Sequence, residues 1–376
     1  MHAPPAGDPS IPPPDTQKPP LPFAPTMHPI SDFADNLHLT YPHNNSFADG
    51  GDSLVLGWRS DREVGLVKCD AHGNRRELCR FHLERQPEKL LWCDTALDAN
   101  LTVTIADNRI WTFDHRNDSQ PRLVYEAPAT ARLHSIPAIR ADGQKIICSL
   151  GENDRHSALL IDVKTGERRV LFKKTWFANH LHFCPRDPEW IGFSHEGNCA
   201  LIMDRVWGWH ATEAPEGKCF FGQFASTPER LLYAGHERWS FHDRSVLVVA
   251  YGDGPGTPRG IYEAFVDGRP QRLVGEGNRD FHLDVSRDGR WIVIDTTGAH
   301  DAPGKGWENA WPVTDILVMD RATGERRFVA RSRLSRHPSH AHPIFSVDGR
   351  HVYFNEASED GLLNRVWRAG NPFITS

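Results

Sequence analysis

Residues 283–296 read LDVSRDGRWIVIDT, and the way they divide decides the fold. An apolar strand runs into Ser-Arg-Asp-Gly, and a second apolar strand follows at once. Asp-Gly between two such runs signals a hairpin, because glycine accepts the positive φ that these turns require. The same unit recurs as SFADGGDSLVLGW at 46–58, PAIRADGQKIICSL at 137–150 and PIFSVDGRHVYFNE at 343–356. Looser copies are LLWCDTALDANLTVTIAD at 90–107, LHFCPRDPEWIGFS at 181–194 and QFASTPERLLYAGH at 223–236. Other strand pairs turn through Thr-Gly, as in ALLIDVKTGERRVLF at 158–172 and ILVMDRATGERRFVA at 316–330. Seven copies at a spacing of roughly 45–60 residues predict an all-β, seven-bladed β-propeller with about four strands per blade. The segment LHLTY at 37–41 is expected to close the ring by pairing with the last blade. In such a ring the innermost strands converge on a central channel, so residues distant in sequence can meet there.

The 376 residues are 39% hydrophobic and 24% charged, enough apolar material for a large core. Twelve tryptophans and 19 phenylalanines suit half-buried strand faces. The first 26 residues hold ten prolines and read as a disordered or polyproline leader, with a single propeller domain expected over 27–376. A net charge of −6 argues against a nucleic-acid partner, whose footprint is basic. An acidic ligand would have to be held by local arginines and lysines. No apolar run is long enough to span a bilayer, and the N-terminus lacks a signal-peptide profile. Seven cysteines without a CxxC pair point to a reducing compartment. A cytoplasmic protein is expected, of open oligomeric state.

Histidine clusters mark the second half: NHLHF at 179–183, FSHEG at 193–197 with DRVW at 204–207, GHERW at 235–239, DFHLDVSRDG at 280–289 and RHPSHAHP at 336–343. They place His180, His182, His195, His236, His282, His337, His340 and His342 near equivalent points of four consecutive repeats. A single histidine at a strand end is ordinarily a structural residue bonded within its blade, a reading that suits His182 and His195. Three within six residues do not fit it. In an extended segment side chains at i and i+2 share a side, which groups His340 with His342. His337 can reach the same point from the preceding loop, and His282 from the blade before. Such an imidazole set suits a divalent ion of the Mn, Fe, Ni or Zn kind. GFSHEG is one place away from GxSxG, and GHERW is neither HExxH nor helical, so hydrolase and zincin readings are set aside.

The stretches HLHFCPRDPEWIGFSHEG, DRVW, GHERW, FHLDVSRDG and HPSHAHPIFSVDG resemble, in order and spacing, the oligogalacturonate lyases. These are seven-bladed propeller polysaccharide lyases that use a manganese-type ion, and the resemblance runs over roughly residues 40–370. It implies β-elimination at a uronate within an acidic oligosaccharide, giving a 4,5-unsaturated product. It implies His236 as the base, Arg205 as a partner for a substrate carboxylate, and His282, His340 and His342 as ligands of an ion, Mn2+ first. His337 stands where the family carries a glutamine, and HAHP and HERW replace HPHP and HEFW. Arg238 is thereby expected as a cation beside the base, contacting substrate together with His180 and His182. The alternatives are a lyase for another uronate, such as one in a glucuronate-containing glycan, and a non-catalytic propeller that binds a partner.

Overall fold

The Asp-Gly turns fold as self-contained units. Gly143, Gly289 and Gly349 take φ of 74°, 71° and 70°. Their amides bond back three residues at 2.8, 2.8 and 2.9 Å. The preceding aspartate accepts the amide two residues ahead of it: Asp142 from Gln144 at 2.9 Å, Asp288 from Arg290 and Asp348 from Arg350 at 3.0 Å. Ser286 and Ser346 each donate to that carboxylate at 2.6 Å and accept the first amide of the next strand at 2.9 Å. Local hydrogen bonds of this kind satisfy the turn before any tertiary contact forms. The structure, a computed structural model, describes residues 27–374 except 71, 85–89, 117–119, 135, 200, 225–231, 253–258, 278, 297–312 and 333–338. The expected leader, residues 1–26, lies outside the described residues, and so does His337.

Seven antiparallel sheets follow one another along the chain, one per blade, and no α-helix occurs among the described residues. The innermost strands are Leu37–His38 with Phe47–Ala48, Cys93–Thr95, Arg132–Leu133 with Ala138–Ile139, Ala178–Phe183, Leu232–Trp239, Asp280–Val285 and Ile344–Phe345. The ring is closed at blade 7, whose outermost strand is His28–Pro29 from the start of the described chain, paired with Arg368 and Trp367. The expected closing segment LHLTY does something else: Leu37 and His38 pair with Trp58 and Gly57 inside blade 1. The closure was missed because its strand is two residues long and ends in proline, a residue a sheet tolerates only at an edge.

Both faces of each blade are buried against a neighbour, so the middle strands carry no polar face. Ser245–Gly252 illustrates the rule. Val246, Val248 and Ala250 pack with Trp190, Val206 and Trp239 between blades 4 and 5. The alternate residues Leu247, Val249 and Tyr251 pack with Leu283, Ile292 and Ile294 between blades 5 and 6. Period-two alternation thus feeds two cores from one strand. Apolar clusters of this kind fill all seven interfaces, including the seam between blades 7 and 1, where Val366 and Ile344 meet Leu39 and Leu56.

Candidate active site

Blade 1 has an interrupted inner strand. Leu37–His38 and Phe47–Ala48 both pair with the strand Ser53–Arg59, at opposite ends of it. The residues between them leave the sheet and cross the channel. Asn44 donates its amide to the Tyr41 carbonyl at 2.9 Å, closing a turn with Pro42 at its second position, where a fixed φ is favourable. The Asn44 side chain bonds the carbonyls of Cys93 at 3.1 Å and Pro137 at 2.6 Å, in blades 2 and 3. The His43 carbonyl accepts Nη1 of Arg238 from blade 5. This crossing segment carries Tyr41 into the channel, its ring 4.8 Å from that of His180, 5.2 Å from His342 and 6.3 Å from both His236 and His282.

The inner strands of blades 4, 5 and 6 each contain a β-bulge at the same level. The register slips between Asn179 and His182, between Ala234 and Glu237, and between Asp280 and Leu283. His180, His236 and His282 are the bulged residues, and a bulge re-aims the side chain it carries. His180 adopts φ 54°, as does His342 of blade 7 at 44°, a left-handed backbone uncommon for residues other than glycine. Irregularity repeated around the ring at one height is what brings imidazoles from four blades together.

His282, His340 and His342 form the tightest group, with one ligand nitrogen from each lying within 4.8 Å of the others. All three are buried, at 1%, 4% and 2% exposure. Asp295, fully buried, lies 3.0 Å from Nδ1 of His282 and accepts the backbone amides of His282 at 2.7 Å and of His342 at 3.2 Å. A carboxylate on Nδ1 presents Nε2 as the donor and raises its basicity, the usual support for a metal-ligating histidine. The donor set therefore suits a divalent transition ion. His236 stands beside it, its ring 4.0 Å from that of His282, and its Nδ1 is 2.5 Å from the Phe281 carbonyl. Because a carbonyl only accepts, Nδ1 carries the proton and Nε2 the lone pair.

Arg205 directly precedes the strand Val206–His210 of blade 4 and is 5% exposed. Its Nη2 donates to Glu196 at 2.6 Å, and Nε lies 3.7 Å from Glu237. His180 completes the group, 3.3 Å from Glu196 and 3.2 Å from Glu237. Burial disfavours a charged Glu237, yet His180, Arg205 and the Ser194 hydroxyl outweigh it and hold the carboxyl down at about 2. Burial likewise opposes protonation of His180, but Glu196 and Glu237 raise its pKa on balance. Tyr41 feels burial first and then the same two carboxylates, which keep its phenol protonated well above the usual range.

Arg238 has other partners than those expected. It is buried, with Nε 2.9 Å from Asp284, Nη1 on the His43 carbonyl and its guanidinium over the Phe241 ring at 4.9 Å. It braces blades 5 and 6 to the crossing segment. The expectation of a cation at the base rested on HERW standing where the family has HEFW, and the fold turns that side chain toward Asp284 instead. His182 stacks on His43 at 4.7 Å and donates from Nδ1 to the His180 carbonyl, 2.6 Å away. Burial pushes its pKa down to about 4, so it sits there as a neutral ring. His195 bonds Asp204 at 2.8 Å and stacks on Trp176, the structural role expected of it. Reasoning from sequence missed Tyr41, Glu196, Glu237 and Asp295. Of these, Glu237 was within reach, since it directly follows His236.

With this geometry in hand, the relatives are informative. No family model matches the chain. An oligogalacturonate lyase of Dickeya dadantii is 26% identical over 208 residues, 52% of this chain and 50% of that protein. An oligogalacturonide lyase of Pectobacterium atrosepticum is 22% identical over 210 residues, with the same coverage. The matched region thus spans about half the length of these curated relatives. Among solved structures, an oligogalacturonate lyase in complex with manganese superimposes with a TM-score of 0.78 at 19% identity, covering 93% of this chain and 95% of that one. The chain has the fold of the oligogalacturonate lyases. The Vibrio parahaemolyticus oligogalacturonate lyase gives 0.76 at 17% identity, over 92% and 94% of the two chains.

Proposed function

We propose that this protein is an oligogalacturonate lyase, cleaving uronate oligomers by metal-assisted β-elimination to a 4,5-unsaturated sugar. The observation that carries the reading is the buried trio His282, His340 and His342 with His236 against it. The named relatives support the same activity, and the manganese complex makes Mn2+ the first candidate ion. His282, His340 and His342 would hold that ion, whose positive charge next to the substrate carboxylate acidifies the C5–H bond. His236 is then the base, since its Nε2 lone pair is fixed by the hydrogen bond at Nδ1. Arg205 offers a fork for a uronate carboxylate. In the present arrangement Glu196 fills that fork, as a stand-in carboxylate that substrate displaces. His180 belongs to this ion-paired group, whereas His182 supports His43 from behind. Seven cysteines held as thiols agree with a cytoplasmic enzyme, and no described helix is long and apolar enough to cross a membrane.

The test is the ultraviolet absorbance of the unsaturated product from galacturonate oligomers, with and without chelator. The expected outcome is activity that chelation abolishes and Mn2+ restores. Absence of product from galacturonate and from every other uronate tried would end the proposal. Product from another uronate alone would relocate the substrate and keep the chemistry.

A further inference from the structure

Elimination needs two proton movements, and the residues discussed so far supply one. In a 4-linked galacturonate the C5 hydrogen and the C4 oxygen lie on opposite faces of the ring. His236, having taken the hydrogen from one face, is on the wrong side to protonate the oxygen on the other. A sugar alkoxide is a poor leaving group at neutral pH, so a second residue has to deliver a proton to it.

We infer that Tyr41 is the general acid that protonates the departing C4 oxygen. The inference rests on the lyase reading and extends it. Around the axis, the rings of His180, His282, His340 and His342 are all buried, whereas His236 and Tyr41 are only partly so. Both are therefore within reach of a sugar entering the channel. Their ring centroids stand 6.3 Å apart, which sets both groups at the same stretch of the channel. The hairpin turn at Tyr41 and the bonds from Asn44 to blades 2 and 3 fix the tyrosine in place.

The step balances. The C5 proton goes to Nε2 of His236, and the C5–H electron pair becomes the C4=C5 double bond. The C4–O bond breaks with its pair on oxygen, which takes the Tyr41 hydroxyl proton. The phenolate regains a proton from water, and His236 returns one to water.

The experiment compares wild type with Tyr41→Phe, which removes one oxygen and keeps the ring. On galacturonate oligomers kcat should fall by about 100-fold or more with KM little changed. Mn2+ binding by titration should be unaltered. On a uronate bearing an aryl ether at C4, whose phenolate leaves without help, the variant should approach wild-type rate. In deuterated water the variant should still place deuterium at C5 of recovered substrate, an exchange that His236→Ala abolishes. A Tyr41→Phe enzyme within about threefold of wild type on the oligomer, or one equally slow with both leaving groups, overturns the assignment. A wild type that eliminates from no uronate overturns the lyase reading, and this assignment with it.

Discussion

At the scale of single residues, the site divides into groups that do chemistry and groups that hold them. His236→Ala should lose about 10²–10⁴ in kcat while keeping its metal, because the proposed base lies beside the three histidines proposed as ligands and is not counted among them. A fully active variant, measured by product absorbance, would remove His236 from the mechanism. Asp295→Asn is expected to weaken Mn2+ binding by about 10–100-fold in calorimetric titration, since an amide supports the Nδ1 hydrogen bond of His282 without the charge that raises its basicity. Unchanged affinity would show that Asp295 only satisfies the two backbone amides it accepts. The grouping of His340 with His342 was legible from spacing, and that of His282 with them from repeat position. Asp295 was not, because its pairing partner becomes known only with the strand register.

At the scale of elements, local chemistry that closes on itself was readable and conformations imposed by neighbours were not. The Ser-x-Asp-Gly turns belong to the first kind, and they support a quantitative contrast. Gly289 sits at φ +71°, and a Cβ there would fall 1.8 Å from Cε1 of His242, a ring held by Arg321 at 2.5 Å. Gly268 has φ +83° with nothing within 4 Å. Gly268→Ala should therefore cost only the backbone strain of about 1–2 kcal/mol, and Gly289→Ala distinctly more, as denaturant midpoints would reveal. Equal losses would mean that His242 swings aside freely. The bulges at His180, His236 and His282 belong to the second kind. No glycine marks the left-handed backbone at His180 and His342, so nothing in the letters betrays it. The crossing segment escaped for the same reason: Tyr41-Pro42-His43-Asn44 reads as an ordinary turn, and only the assembled ring gives it something to cross.

At the scale of the molecule, burial sets the response to acid. His38, His115, His134 and His182 are each pushed down to about 4, in every case by desolvation first. A histidine with a lowered folded value binds protons more readily unfolded, so its contribution is complete above pH 6.5 and is lost as pH falls toward 4. Asp94 works the other way: burial raises it to about 7, so its cost to folding sets in above pH 4 and levels off above 7. Four histidines outnumber it, and the thermal midpoint of chelator-treated protein should drop between pH 6.5 and 4. A flat profile over that window would contradict the neutral, desolvated state of these rings. The blade count was legible because one turn recurs, whereas the manner of closure depends on contacts between chain segments more than 300 residues apart. That closure has a bearing on biosynthesis. The strand that leaves the ribosome early waits for the stretch that emerges near the end, so a nascent chain stays an open arc with an apolar flank exposed. A message truncated before residue 364 would yield a product for the quality-control proteases, however many complete blades it contained.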